Sequence, residues 1–439
     1  MDSSKLVNGF SKKTKAEKME WLQQTYFQNQ PASVEVLKHY WNSDPQLQAK
    51  HEEFIENTLT NFYMPLGIAP NFKINDQILA IPMVIEESSV VAAASKAAKF
   101  WASRGGFKTR ILNNLKEGQV HFSYTGNPEK LQAFFKRNHS SFLESLVPLA
   151  TRMEKRGGGI HALVLKDKTH LIPNYYQLHL QFKTADAMGA NFINSCLEHL
   201  ANEFEEQITN APEFDSLETP IKIFMSILSN YVPECLVEAR VECAVKDLGT
   251  YGDLDAAAFA QKFVEAIEIA TEEPYRAVTH NKGIMNGIDS VVLATGNDFR
   301  AVEAGVHAFA ARDGKYRSLS EASIENDTFH FRLQVPLALG TVGGLTKLHP
   351  LVRWCLELLG NPGAEQLMQI VAAAGLAQNF AAVQSLVTTG IQKGHMKMHL
   401  LNLLNQKEAT APQKEAALEY FKTHVVSAAS VEEFLKSEQ

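Results

Sequence analysis

Gln119-Val-His-Phe-Ser-Tyr124 puts Val120, Phe122 and Tyr124 on one side of an extended chain and the polar residues on the other. That two-residue period is the mark of a half-buried strand. Downstream, Pro128 to about Pro148 reads as a helix. Ala162 to Leu165 and Tyr176 to Phe182 are two alternating runs joined by a polar link, a hairpin. A second helix from about Ala187 to Glu206 and a last apolar run, Ile221 to Leu228, complete the order β-α-β-β-α-β. This is the order of a ferredoxin-like split unit, and residues 117–228 read as a small inserted domain.

Outward from that unit the texture changes. Residues 15–60 read as helical, with a break at Pro31. Gly67, Pro70 and Asn71 mark a turn, Ile78 to Ile85 is extended, and an alanine-rich helix runs from about Val90 to Arg104, stopped by Gly105-Gly106. From Ser229 to about Gly390 the chain returns to a larger α+β body rich in alanine helices, and the last fifty or so residues are helical and more polar. The predicted division is therefore 1–116, 117–228, 229–389 and 390–439.

With 439 residues, 45% apolar and 21% charged, the chain can bury a sizeable core. A formal net charge of -7 predicts no bulk attraction to nucleic acid. Cys196, Cys235, Cys243 and Cys355 form no CxxC pair, so reduced, mostly buried thiols in a cytosolic protein are expected. The polar N-terminus has no apolar signal region, and no uninterrupted apolar stretch approaches ~18 residues, so no membrane span is expected.

GxGxxG, GxxxxGK[ST] and GxSxG are absent. A dinucleotide would need another seat, and Asp186-Ala-Met-Gly-Ala-Asn191 offers one. It ends a strand and opens a helix, whose free N–H groups and dipole suit a pyrophosphate. The alternative is a plain cap with a packing glycine. Arg276, Thr279, His280, Lys282 and Asn286 cluster in Glu273–Asn286, followed by Asp298 in Thr295-Gly-Asn-Asp-Phe-Arg300. A lysine beside a carboxylate can stabilise an oxyanion; the alternative is a solvated loop and a helix-capping Asp. Glu86 and Glu87 precede an apolar helix, where a carboxyl serves either the helix start or proton donation. Gly394-His-Met-Lys-Met-His399 has zinc-site spacing, but Met396 stands where an HExxH base would be and no third ligand is evident. A surface or core histidine pair and an acid–base histidine remain. Gly340-Thr-Val-Gly-Gly344 either lines a cleft or permits tight packing.

The order and spacing of Glu56-Asn57, Pro65-Leu-Gly-Ile-Ala69, Glu86-Glu87, DAMGAN, Thr-His-Asn-Lys-Gly, Thr-Gly-Asn-Asp, GTVGG, Leu376-Ala-Gln-Asn379 and GHMxxH resemble the class II HMG-CoA reductases. The resemblance runs from about residue 10 to 405. It implies an α+β fold: a large CoA-substrate domain, an inserted ferredoxin-like cofactor domain and a C-terminal helical flap. It also implies reduction of HMG-CoA to mevalonate and CoA with two NAD(P)H and no metal, by a cytoplasmic homodimer or an oligomer of dimers, without nucleic acid or membrane. The net direction, mevalonate synthesis or mevalonate oxidation, stays open.

By motif, the resemblance makes Lys282 the carbonyl polariser, Glu87 the proton donor and acceptor, Asp298 the group linked to both, and His395 the acid for the departing thiolate. It places Arg276, Ser89, Thr279, Asn286 and Asn230 around the HMG end, and adds Glu56 and Lys12 to substrate binding. Asp186, Met188, Gly189 and Asn191 would receive the cofactor. Arg152, in the basic stretch Ala150–Gly159, would meet a ribose 2′-phosphate, so NADPH is expected over NADH. Two departures stand out: Thr60 where the family usually has Gly, and a longer chain between DAMGAN and Asn230. Rival readings are a zinc hydrolase using His395 and His399, and a non-catalytic CoA-binding protein.

Overall fold

The computed structural model describes residues 5–214, 221–388, 390 and 400–437. The chain parts into two compact units, Met1–Pro65 and Leu66–Gln439.

The first unit holds α1 (Lys15–Tyr26), α2 (Ala32–His39) and α3 (Pro45–Glu52). Thr14 and Glu17 form a reciprocal capping box that starts α1, and Asp44 caps α3 ahead of Pro45. Lys15 ties the helices together, pairing with Glu52 at 2.5 Å and lying 3.9 Å from the Trp41 ring centre.

The second unit opens with a hairpin, β1 (Leu66–Ile74) and β2 (Gln77–Val84). The turn expected at Gly67, Pro70 and Asn71 is instead strand β1, with an irregularity between Ala69 and Phe72. A two-stranded sheet leaves each strand with a free edge, so Pro70 and a bulge are tolerated there. The reversal falls at Asn75 and Asp76, both with positive φ, as a two-residue hairpin turn requires. Next comes α4 (Val90–Ala102), with Ala94, Ala98 and Trp101 fully buried.

The large core surrounds an antiparallel sheet in the order β3-β8-β10-β9: β3 (Lys108–Ile111), β8 (Leu236–Ala244), β10 (Thr328–Pro336) and β9 (Ser320–Glu325). Helices α7 (Ala256–Glu272), α8 (Pro274–Ala294) and α9 (Phe299–Ala310) share this core; after the short α10 (Leu345–Leu348) and α11 (Pro350–Leu358), α12 (Ala364–Val387) runs through its middle. By length and composition α12 could cross a membrane, but 72% of its most apolar window is buried inside the protein. Its apolar surface is already covered by protein.

Residues 116–228 build their own sheet and core. β4 (Lys116–Ser123), β5 (Gly159–Asp167), β6 (Tyr175–Lys183) and β7 (Lys222–Leu228) pair antiparallel in the order β5-β6-β4-β7. Helices α5 (Pro128–Glu154) and α6 (Ala190–Thr209) pack on it, with Phe122 edge-on to Phe204 at 5.1 Å. α5 runs past Pro148: the ring removes one donor, but buried Leu146, Ala150 and Met153 carry the helix through. Residues 400–437 gather a small core of Leu400, Leu404, Phe421, Val431 and Phe434. All four cysteines are free and buried.

Candidate active site

Helix α8 positions most of the chemistry. Glu273 caps it by accepting from the Tyr275 and Arg276 N–H groups, and Pro274 starts it. The solvated-loop reading of this stretch is thereby replaced. Gly283 and Gly287 obscured the helix in sequence, and Gly287 has a tertiary reason: a Cβ there would lie 2.5 Å from the Ala374 carbonyl oxygen of α12. Arg276, Thr279, Lys282 and Asn286 are spaced by three, three and four residues, so they share one helix face.

That face borders a cavity of about 490 Å³, within the range of small-molecule sites. The opposite wall is the start of α4, with Glu87, Ser88 and Ser89, and the floor includes Gln378 and Asn379 of α12. Lys282 Nζ donates to Glu87 Oε2 at 2.5 Å, and Asn286 Nδ2 lies 3.4 Å from the same oxygen. Glu86 does not line the cavity. Ser89 is the N-cap of α4 at φ 72, a left-handed conformation costly for a non-glycine residue, held at the cavity wall. Arg276 is half-buried, and burial lowers its pKa.

His280 is a cavity residue to which the sequence reading gave no role. It is 2% exposed, and its Nε2 lies 2.8 Å from Ser320 Oγ. Ser320 Oγ donates its single proton to Asn379 Oδ1 at 2.7 Å, so it must accept from His280. The imidazole is therefore the Nε2–H tautomer, with a lone pair on Nδ1. Burial, reinforced by the Arg276 charge, pushes its pKa down to about 3. A neutral ring leaves Arg276 and Lys282 as the cations on this wall. Gln378 and Asn379 lie in the LAQN motif, but only the tertiary fold aims them at α8.

The other expected site residues fall elsewhere. Asp298 is the N-cap of α9: its carboxylate accepts from the Arg300 and Ala301 N–H groups and pairs with the Arg300 side chain at 3.2 Å. Its hydrogen bonds among the described residues do not include Lys282 or Glu87. Asn230 follows β7, and its carbonyl packs against Gly305 of α9. Lys12 and Glu56 are exposed residues of the first unit. His395 and His399 lie outside the described residues. Arg152 is exposed in the last turn of α5.

The Asp186–Asn191 turn lies between β6 and α6. Gly189 is the N-cap of α6 at φ 92, with no side chain capping the helix. Among the described residues no side chain accepts from the first N–H groups of α6, which fits an anionic ligand. Asp186 Oδ1 accepts from the Ala364 N–H at the start of α12, so that carboxylate already has a structural duty. Further along α8, seven residues on from Lys282, part-buried Asp289 sits against Glu303. Burial and that carboxylate push its pKa well up, while His307, 2.9 Å from Glu303, and Asp289 itself hold the Glu303 pKa down.

The family model for hydroxymethylglutaryl-coenzyme A reductase matches residues 14–400. A 3-hydroxy-3-methylglutaryl-coenzyme A reductase of Archaeoglobus fulgidus is 37% identical over 369 residues, 84% of this chain and 80% of that protein. A probable reductase of Borreliella burgdorferi is 34% identical over 359 residues, 81% and 79% of the two chains. The class II reductase of Streptococcus pneumoniae, solved bound to NADPH in open conformations, superposes with TM-score 0.72 at 36% identity, covering 87% of this chain and 99% of that one.

Proposed function

The chain belongs to the hydroxymethylglutaryl-coenzyme A reductase family, and on that premise we propose that its cavity reduces 3-hydroxy-3-methylglutaryl-CoA to mevalonate. Two NADPH and two protons are consumed, and CoA leaves as the thiol. The observation that carries this is the Lys282–Glu87 contact of 2.5 Å, in a cavity that also presents Arg276. Hydride addition to a thioester places negative charge on oxygen, and a fixed ammonium stabilises it. Glu87 stands beside that ammonium to give and take the proton. Arg276 matches the free carboxylate of the substrate by charge-assisted hydrogen bonds, with Ser89, Thr279, Asn286 and Asn230 around the reacting end.

Bound reduced nicotinamide supplies the hydrides. The uncapped N-terminus of α6 and the Asp186, Met188, Gly189 and Asn191 turn hold the dinucleotide, and Arg152 favours NADPH over NADH. Residues 117–228 serve as a ferredoxin-like cofactor domain, which the sheet order and separate core support. Residues 390–439 serve as a flap that brings His395 to protonate the thiolate, a task suited to an imidazole. The resemblance assigns Asp298 to tuning the lysine–glutamate pair, which it would do without a direct hydrogen bond to either while capping α9, and Lys12 and Glu56 serve the CoA side. The protein works in the cytoplasm as a homodimer or an oligomer of dimers. Exposed Leu348, Leu351 and Trp354 give an apolar surface consistent with assembly.

Following the reduced-nicotinamide absorbance with HMG-CoA, using NADPH and NADH separately, tests the reading. HMG-CoA-dependent oxidation is expected, faster with NADPH; none with either cofactor would refute it.

A further inference from the structure

Lys116, the first residue of β4, is 4% exposed. Its Nζ donates to Thr184 Oγ1 at 2.5 Å and to the Ala187 carbonyl at 2.8 Å, and lies 3.5 Å from the Leu339 carbonyl. All three acceptors are neutral oxygens. Burial lowers the Lys116 pKa, and the three oxygens around Nζ are what hold its ammonium form; the charge has no carboxylate partner among the described residues, and the titratable group beside it is the Cys235 thiol, pushed up to about 11 by burial and so un-ionised. Burying an ammonium without a counter-charge is costly, and that cost calls for a reason.

The surroundings supply one. Ala187 belongs to the turn that opens α6, and Thr184 Oγ1 also donates to the Ala187 carbonyl at 2.7 Å. The turn is clamped from several sides. The Asp186 carbonyl accepts from the Thr341 N–H at 2.8 Å. A Cβ on Gly340 would come within 2.4 Å of the Met188 nitrogen, and one on Gly189 within 2.4 Å of Thr184 Cγ2. Lys116 holds the Ala187 carbonyl, in the turn that leads through Gly189 into the head of α6.

We infer that Lys116 is a positioning residue for the dinucleotide phosphates: it fixes the Ala187 peptide and places a buried positive charge behind the phosphate-facing turn, where the ligand supplies the missing anion. This rests on the reading of residues 186–191 as the nucleotide seat. The test uses the full-length enzyme. NADPH binding is followed by cofactor fluorescence, CoA binding by calorimetry, and turnover at saturating NADPH. Lys116→Met is expected to raise the NADPH Kd and KM about tenfold or more, by loss of both the contact and the charge. CoA affinity should not change, and kcat at saturation should stay within about threefold of wild type. Thr184→Val keeps the ammonium but removes one anchor, and should raise the NADPH Kd by a smaller factor. An unchanged NADPH Kd in a folded Lys116→Met protein overturns the inference. If Lys116→Met does not fold, an unchanged NADPH Kd in Thr184→Val overturns it. Failure of the wild type itself to bind NADPH would instead refute the nucleotide seat.

Discussion

Lys282→Ala separates chemistry from stability, because the structure assigns the two very different sizes. The Lys282 side chain is 58% exposed and its partner Glu87 38%. An ion pair that open to solvent is screened and contributes about 1 kcal/mol or less to folding. The melting temperature should therefore move by about 2 °C or less. The same ammonium is the cation paired with Glu87: Arg276, the other cation of that wall, is about 1.7 turns away on α8, and Lys96 lines the cavity from α4. Losing one oxyanion donor costs about 3–4 kcal/mol, or roughly 10²–10³ in turnover. The assay is HMG-CoA-dependent NADPH oxidation, with a thermal melt on the same preparation. Glu87→Gln and the double variant complete a cycle. If the pair acts as a unit, the double variant should be little worse than the worse single variant. A folded Lys282→Ala enzyme turning over within tenfold of wild type would refute the reasoning, and so would a large drop in melting temperature, since the residue would then be structural.

Other consequences are equally direct. His280, held at about 3 in the fold, stays neutral where the unfolded chain takes up a proton. Stability should therefore rise with pH between about 3 and the ordinary histidine value near 6.5, then level off. His280→Gln should flatten that rise in denaturant melts; an unchanged slope would show that His280 is not its source. Asp289, its pKa raised by burial beside Glu303, keeps a proton that the unfolded chain releases near pH 4, so its contribution declines as pH rises above about 4 toward its raised folded value. Asp289→Asn mimics the protonated form and should lessen the loss of stability on the alkaline side; an identical alkaline profile would count against it. Gly189→Ala must fit a Cβ at 2.4 Å from Thr184 Cγ2 at φ 92, and should cost about 1–3 kcal/mol while weakening NADPH binding; an unperturbed variant would mean the turn has slack. Arg152→Ala should narrow the NADPH over NADH preference in kcat/KM, and an unchanged ratio would move the 2′-phosphate elsewhere.

Local period and local chemistry made part of this protein readable before folding. Val120 and Phe122 alternate because a strand presents side chains to opposite faces, and both are fully buried in the sheet they predicted. The β-α-β-β-α-β order, the four unpaired thiols and the ordered motifs also depend on nearby residues alone. The extended reading of Ile78–Ile85 agrees with β2, but strand β1 reads locally as a turn: Pro70 and Asn71 carry turn chemistry, and only the open edge of a two-stranded sheet lets them sit in a strand. Gly283 and Gly287 obscure helix α8 in sequence, and the reason for Gly287, the close approach of α12, lies in no local window. The cavity is non-local throughout. Glu87 and Lys282 meet across 195 residues of chain, and Lys116 reaches Leu339 across 223. Sequence alone thus determined which residues carry reactive groups and which short segments become strands or helices, because those follow from covalent chemistry and backbone period. Tertiary structure decided which carboxylate faces the lysine, which histidine stays neutral and which lysine is buried without a counter-ion, because these depend on distance and desolvation, and both exist only once the core has closed.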